Sequence, residues 1–411
     1  MLTCKQMSRP KNPAPIESMR PALRLALRLA RRGSGTTSPN PMVGAVLVQG
    51  DRVIGRGWHR RAGGPHAEIE ALADAQRRGN SPSGATIYVT LEPCCTHGRT
   101  PPCTAALIAA GIKRVVVGAV DPNPKHAGRG FQILRQAGIE VVPPGSVGAP
   151  ETDECARLNE AFNHWIVLRT PFVTVKAAMT LDGKIATASG ESKWITGEKA
   201  RAYGMKLRQG SDAILVGINT ILADDPSLTF RSESKSNRNI QHPKLRRIVL
   251  DSMARTPLTA KVVSDEQAAL TTIVVSQLVP KRRIAALASR VRVLVVPLTQ
   301  SAIGNRQSAI ELPWLLRKLG SENVTSLLVE GGGEVNASFL LGGFAQRVAF
   351  CYAPKILGGR DSRKAVAGDG AKNLSDVIQL HEIEWRQLGL DLLLTARVGE
   401  PARRLPTGLK A

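Results

Sequence analysis

Aromatic side chains are scarce, at 4% of the 411 residues. Proteins that hold single-stranded nucleic acid lean on such rings as stacking platforms, so that class is disfavoured. Long apolar runs are missing as well: no stretch approaches the ~20 residues a membrane-spanning helix needs. Pro21–Arg32 (PALRLALRLARR) is apolar, but Arg24 and Arg28 interrupt it, which reads as an amphipathic helix and not as a signal peptide. Cysteine is limited to six residues, three of them crowded between Cys94 and Cys103. That distribution is not a disulfide framework, and Cys clustered with a nearby His points to metal. Acidic residues are outnumbered 33 to 56, for a formal net charge of +23. The basic residues are dispersed without a Lys/Arg block, so they read mainly as a solvated surface able to attract phosphorylated molecules.

A chain of this length suggests two or three domains of roughly 100–200 residues each. Residues 1–18 are Pro- and Lys-rich without periodicity and are expected to be a disordered extension, with Met19 an alternative start and a transit peptide a second reading. From 19 to 145, helix-like and strand-like segments alternate. Helices are expected at Pro21–Arg32, His66–Arg78, Pro101–Gly111 and Gly130–Ala137. Strands are expected at Met42–Val48, Arg52–Gly57, Ala85–Leu91, Lys113–Val120 and Ile139–Val142. Pro and Gly crowd 143–153, marking a linker, and Asp153–Leu168 reads as one connecting helix, so 146–170 joins two domains. From 171 to 400 the rhythm resumes. Strands are expected at Phe172–Met179, Ala213–Val216, Arg247–Asp251, Thr272–Ser276, Val291–Val296, Ser326–Glu330 and Arg347–Tyr352. Helices are expected near Glu198–Arg208 and at Glu334–Leu341, an exposed loop at Ser232–Lys244, and a flexible tail at 401–411. The alternation predicts two α/β domains.

His66-Ala67-Glu68 opens a helix, and Cys94 and Cys103 precede another. Zinc favours thiolate and imidazole in a tetrahedron, and a catalytic site leaves one position for water. His66, Cys94 and Cys103 supply three ligands, so a single Zn2+ would retain an open position. Glu68 is then free to carry protons, as a non-ligand Glu does in zinc nucleobase deaminases. A closed structural site is the alternative and would draw a fourth ligand from Cys95 or His97. The common deaminase spacing is P-C-x-x-C, whereas here the loop is LEPCCTHGRTPPC, residues 91–103.

This longer loop resembles the deaminase domain of the bifunctional riboflavin-biosynthesis deaminase–reductases. So do Ser38-Pro39-Asn40-Pro41-Met42-Val43-Gly44 and Asp121-Pro122-Asn123-Pro124 with Ala127-Gly128. The resemblance implies a cytidine-deaminase-like three-layer α/β/α domain acting on a pyrimidine that carries a phosphoribosylamino group. Asn40, His59, Arg99, Asp121 and Asn123 fall where the family lines its substrate pocket. One departure is that Thr96 stands where the family usually has His, with His97 following it.

The second half carries TVKAAMTLDGKIATASGESKWIT (174–196), SDAILVGINTILADDPSLTFR (211–231), Val249-Leu250-Asp251-Ser252 and Val329-Glu330-Gly331-Gly332-Gly333. The Gly triple before a helix offers backbone N–H groups to phosphate, but it is not the G-x-G-x-x-G of Rossmann domains. Together these segments resemble the reductase domain of the same family, implying a dihydrofolate-reductase-like α/β fold that uses NADPH. By that resemblance Ser192, Arg208, Leu228, Arg231 and Glu330 hold the phosphoribosyl substrate. Ala178, Trp194, Thr220, Asp224, Ser252, Gly332, Gly333, Glu334, Val335, Asn336, Ala337 and Ser338 lie along NADPH. Lys176 and Asp182 are candidates for polarising the carbonyl or relaying a proton, Asp182 being equally readable as a turn residue. Thr180 replaces the family's usual Ser before Leu-Asp-Gly, and Ala345-Gln346 replaces a usual acid.

The expected activity is deamination of a diaminopyrimidinone ribotide followed by reduction of its ribosyl chain, in a cytoplasmic homo-oligomer without membrane or nucleic-acid partners. Two rivals stand beside it: a deaminase acting on a base in nucleic acid, and a deaminase joined to an inactive second domain.

Overall fold

A computed structural model describes residues 16–97, 101–146, 149–230, 245–297 and 310–399. The chain divides into two compact units, Met1–Asn163 and His164–Ala411.

The first unit opens with α1 (Ile16–Ala30), which begins ahead of Met19, so 16–18 are helical; 1–15 lie outside the described residues. The alternating apolar segments GAVLVQ and RVIGRGW form β1 (Gly44–Gln49) and β2 (Arg52–Trp58). α2 (Ala67–Arg77), β3 (Thr86–Val89), α3 (Cys103–Ala109), β4 (Arg114–Val117), α4 (Arg129–Gln136) and β5 (Glu140–Val142) follow. Their sheet order is β2-β1-β3-β4-β5, antiparallel through the first three strands and parallel through the last three. Successive side chains of β1 point to opposite faces. Ala45 and Leu47 pack under α2, α3 and α4, where Ala71, Leu107 and Leu134 are buried. Val46 faces Ala26 and Leu29 of α1, and α5 (Ala149–Leu158) adds Cys155 to a cluster with Leu23 and Tyr88 on that side. Three layers result. Two glycines set the spacing of the layers: a Cβ on Gly44 would collide with the Ala26 carbonyl of α1, and one on Gly57 with the Ala67 carbonyl of α2.

The single helix expected over Asp153–Leu168 is two helices, α5 and α6 (Glu160–Leu168). The break falls at Asn159, whose buried amide accepts from Met42 N–H at 2.7 Å and donates to Met42 O at 2.9 Å. α5 starts earlier than expected because Pro150 is tolerated in a first helical turn. Glu151 then accepts from Arg20 (3.1 Å) and Arg24 (2.7 Å) of α1.

The second unit runs β6 (Phe172–Thr180), β7 (Lys184–Ala186), α7 (Glu198–Gln209), β8 (Ala213–Gly217), α8 (Ile218–Asp224), β9 (Arg246–Leu250), α9 (Lys261–Ser264) and β10 (Thr271–Ser276). It continues through α10 (Lys281–Ala288), β11 (Arg292–Val296), α11 (Leu312–Ser321), β12 (Ser326–Val329), α12 (Gly333–Leu341), β13 (Arg347–Ala353), β14 (Arg363–Lys364), β15 (Leu380–Leu388) and β16 (Asp391–Val398). Nine strands form one sheet, β11-β10-β9-β8-β12-β6-β13-β16-β15, parallel as far as β13 and antiparallel beyond. Central parallel strands are buried on both faces. Val175, Leu215 and Leu327 pack against Leu315 and Leu319 of α11 and Phe339 of α12. Ile214, Val216 and Val249 pack against Ile221 of α8, Val262 of α9 and Leu287 of α10. This is the dihydrofolate-reductase-like α/β arrangement. The expected loop at Ser232–Lys244 and the tail at 401–411 lie outside the described residues.

Candidate functional sites

In the first unit, His66 is the N-cap of α2 and Cys103 is the first residue of α3, while Cys94 lies in the loop after β3. His66 Nδ1 is 3.2 Å from Cys103 Sγ and 3.4 Å from Cys94 Sγ, and the three ligating atoms all lie within 4.8 Å of one another. A tetrahedron with Zn–S of ~2.3 Å and Zn–N of ~2.0–2.1 Å has edges of about 3.5–3.8 Å, and the two N–S separations are within a few tenths of an ångström of that. The electrostatics agree. Cys94 is pulled down to about 4 by hydrogen bonds from Cys103 and His66, while Cys103 is pushed upward by that same contact and by burial. Two adjacent thiols, Cys103 buried and Cys94 half-buried, cannot readily both ionise without a cation, and a divalent ion removes that conflict. Neither residue considered as a fourth ligand joins the cluster. Cys95 turns its Sγ to His126 at 3.5 Å, and His97 is exposed. The arrangement is that of an open, three-ligand site.

Glu68 sits in the first turn of α2, only 3% exposed. Burial, reinforced by the charge of Cys94, raises its carboxyl to about 7, where it can both take and give a proton at neutral pH. His59 is buried, and burial lowers its pKa. Its neutral ring donates from Nδ1 to Pro65 O (2.9 Å), just before His66, and accepts at Nε2 from Asn40 Nδ2 (3.2 Å). Asn40 and His59 are therefore braced against the metal-ligand segment. Asp121 and Asn123 occupy the loop after β4, where Asp121 Oδ1 accepts Asn123 N–H at 2.9 Å. Arg99 lies outside the described residues.

One important residue of this site escaped sequence reasoning. Glu92 is buried and accepts three backbone N–H groups, from Asp121 (3.3 Å), Gly128 (3.0 Å) and Gly130 (3.0 Å). It ties the Asp121–Gly130 loop to the segment carrying Cys94. Gly130 permits the approach, since a Cβ there would stand 2.6 Å from Pro93 O.

In the second unit the chain leaves β8 for β9 on one side, whereas β12, lying between β8 and β6, leads to β13 on the other. The carboxyl ends of β8 and β12 therefore form a topological switch point, the usual ligand crevice of open α/β sheets. Two helices begin there, α8 capped by Gly217 and α12 capped by Gly332. A Cβ on Gly332 would meet nothing within 4 Å, so the backbone beside it is open for a phosphate, whereas one on Gly333 would strike the chain at Lys364. This cradle fits a dinucleotide. Thr220 and Asp224 lie on α8, and Ser252 follows β9. Glu334 and Ser338 are exposed and Val335 is half-buried, but Asn336 and Ala337 turn into the core, Asn336 donating to Ala365 O at 2.8 Å. Ala178 is half-buried on β6, and Trp194 is 66% exposed with the Arg201 guanidinium 4.8 Å from its ring.

Arg208 and Glu330 are joined at two points, Nε–Oε1 3.0 Å and Nη2–Oε2 2.8 Å, and Arg208 Nη1 also donates to Thr229 O at 3.0 Å. Burial pushes Glu330 upward, but Lys176 and Arg208 outweigh it and leave the carboxyl below its ordinary value. Leu228, in the same loop as Thr229, is buried in a left-handed conformation at φ 52. A further residue unforeseen in the sequence, fully buried Arg247, fixes that loop by donating to Ser227 O (2.9 Å) while it pairs with Asp265. Ser192 Oγ reaches Asp224 at 3.4 Å, and Arg231 lies outside the described residues. Asp182 has both oxygens engaged, by Thr180 Oγ1 (2.6 Å) and by the N–H groups of Leu357 (3.0 Å) and Gly358 (2.8 Å), which hold it near 2.

Comparison with known proteins identifies both units. The family model "RibD C-terminal domain" matches residues 171–394, more than half of the chain, and "Cytidine and deoxycytidylate deaminase zinc-binding region" matches 17–119. Riboflavin biosynthesis protein RibD of Actinobacillus pleuropneumoniae is 43% identical over 380 residues, 92% of this chain and 95% of the relative. The chain belongs to the RibD family. The Escherichia coli (strain K12) member is 40% identical over 90% of this chain and 96% of its own length. Acinetobacter baumannii RibD superposes with a TM-score of 0.78 at 35% identity, covering 94% of this chain and 100% of that one. A Thermotoga maritima structure, described as a diaminohydroxyphosphoribosylaminopyrimidine deaminase/5-amino-6-(5-phosphoribosylamino)uracil reductase, gives 0.76 at 33% identity, covering 93% and 99%. RibD proteins are bifunctional riboflavin-biosynthesis enzymes, so the first unit is a zinc-dependent deaminase and the second a reductase of the NADPH-using type.

Proposed function

We infer that the first unit converts 2,5-diamino-6-(5-phosphoribosylamino)pyrimidin-4(3H)-one to the corresponding uracil, and that the second reduces the ribosyl chain to give 5-amino-6-(5-phosphoribitylamino)uracil. The observation that carries this reading is Glu68, buried and proton-exchangeable near neutrality, beside the His66–Cys94–Cys103 triangle. His66, Cys94 and Cys103 would hold the zinc, which when bound would supply the activation of water. Glu68 takes one proton from the water and delivers it to the ring nitrogen, then takes the proton left on the added hydroxyl and passes it to the amino group, which departs as ammonia as the carbonyl forms. Asn40, His59, Asp121, Asn123 and Arg99 orient the pyrimidine and its phosphorylated arm.

In the second unit NADPH supplies the hydride. Gly332, Gly333, Thr220, Asp224, Ser252, Trp194 and Ala178 border its place at the switch point. Arg208, Glu330, Leu228, Ser192 and Arg231 hold the ring-opened sugar against it, and close approach of the two reacting carbons is the main requirement. Lys176, whose charge acts on Glu330, is the better placed of the two candidate proton carriers, because Asp182 has both oxygens occupied by hydrogen-bond donors.

We place the enzyme in the cytoplasm as a homo-oligomer. Edge strand β15 supports the oligomer, with Ile383 and Trp385 more than half exposed. The deciding experiment is a coupled assay on metal-analysed protein, following ammonia release from the diaminopyrimidinone ribotide and then NADPH oxidation. Ammonia without NADPH oxidation would overturn the reductase assignment, and no ammonia from zinc-loaded protein would overturn the deaminase assignment.

A further inference from the structure

Thr96, two residues after the metal ligand Cys94, is approached by an imidazole from a distant part of the chain. His126 lies in the loop between β4 and α4. Its Nδ1 is 3.5 Å from Cys95 Sγ and its Nε2 is 3.4 Å from Thr96 Oγ1. The ring thus bridges the two residues directly after metal ligand Cys94. Its backbone is fixed at both ends: His126 N–H donates to Asn123 O (2.8 Å), and His126 O accepts from Arg129 N–H (2.7 Å). Below it, the three N–H donors gathered by Glu92 hold the whole loop against the metal-bearing segment. Asp121 and Asn123 of the proposed pyrimidine site lie in the same loop, and the His126–Asn123 backbone bond ties the ring to it.

We propose that His126 is a positioning residue of the deamination reaction, acting through Cys95 and Thr96 to set the shape of the pocket wall that receives the ribotide. It bonds neither to His66, Cys94 and Cys103 nor to Glu68, so its contribution falls on substrate affinity and not on the chemical step.

The test uses the full-length zinc-loaded enzyme. In H126A, zinc content and kcat for deamination stay near wild type, and KM for the ribotide rises about three- to tenfold, the range of one lost hydrogen bond. NADPH-dependent reduction in the second unit serves as the folding control. T96H introduced into H126A returns a ring to the same gap from the other side, and KM falls back toward wild type. An unchanged KM in H126A overturns the proposal. So does loss of zinc or of kcat in H126A, which would make His126 part of the metal scaffold. A T96H/H126A double variant no better than H126A also overturns it, since a ring in that gap would then not be what matters.

Discussion

Arg208 on α7 and Glu330 after β12 form a two-point ion pair with both side chains largely buried. A guanidinium fork matches a carboxylate at two points, and an ammonium cannot. R208K is expected to keep the charge, lose the fork and lower reductase kcat/KM by roughly tenfold or more, while ammonia release is unchanged. E330Q leaves a buried cation without its partner, a change that costs about 3–5 kcal/mol when a buried pair is broken from one side. Urea unfolding followed on the second unit checks the stability, and separate assays of the two activities check the localisation.

E68Q should bind zinc with wild-type stoichiometry and lose deamination by about 10²–10⁴-fold, the usual contribution of a positioned acid–base group. Supplied with the deaminated intermediate, the same variant should oxidise NADPH at the wild-type rate. Full ammonia release from E68Q would remove Glu68 from the reaction.

Chelation of zinc is expected to abolish the first activity and spare the second. Of the described residues, His66, Cys94 and Cys103 make up the group of three or more potential ligands that converges. Metal analysis with paired assays, before and after zinc is restored, reads the effect. Reduction that falls in step with zinc would contradict it.

Glu322 is held down to about 2, chiefly by its hydrogen bond to Arg292 (2.5 Å), with Arg246 (2.6 Å) and Lys318 (3.2 Å) adding to it. Its folded-state pKa lies below the ordinary value of 4.5, so the stabilisation is fully present above that pH. It is lost as pH falls from 4.5 toward 2. E322Q should therefore be less stable than wild type by roughly 1–3 kcal/mol at pH 7, and the gap should close across that acidic window. Denaturant midpoints of both proteins at stepped pH test the sign. A gap that widens in acid would exclude this linkage.

G57A should disturb the metal site from a distance. The added methyl meets the Ala67 carbonyl of α2, the helix that His66 caps and whose first turn holds Glu68. Weaker zinc retention in a chelator competition, with reductase activity intact, is the expected outcome.

Much of this was legible in the sequence. His66, Glu68, Cys94 and Cys103 announce themselves because zinc chemistry needs those residue types, and the buried parallel strands of the second unit read directly from their apolar runs, whereas the buried antiparallel strand β16 did not. Glu92 gave no such signal, since its three partners are backbone N–H groups far along the chain. Arg247 gave no signal beyond opening a strand, because the Asp265 carboxylate and the carbonyls that receive it come together only on folding. β15 was missed because HEIEWRQ is exposed along most of its length and shows no buried alternation. The helix break at Asn159 depends on a contact with Met42, which local propensity cannot foresee.

The place of β12 in the nine-stranded sheet also has a consequence for synthesis. β6 and β8 are translated well before the strand that separates them, and each keeps an open hydrogen-bonding edge until Ser326–Val329 has left the ribosome. Such distant pairing is slow to form and leaves sticky edges exposed meanwhile. The first unit, whose five strands are complete by Val142, is free to fold long before that moment. Nascent chains stalled before Ser326 should thus carry a protease-resistant deaminase half attached to a second half that is still digestible.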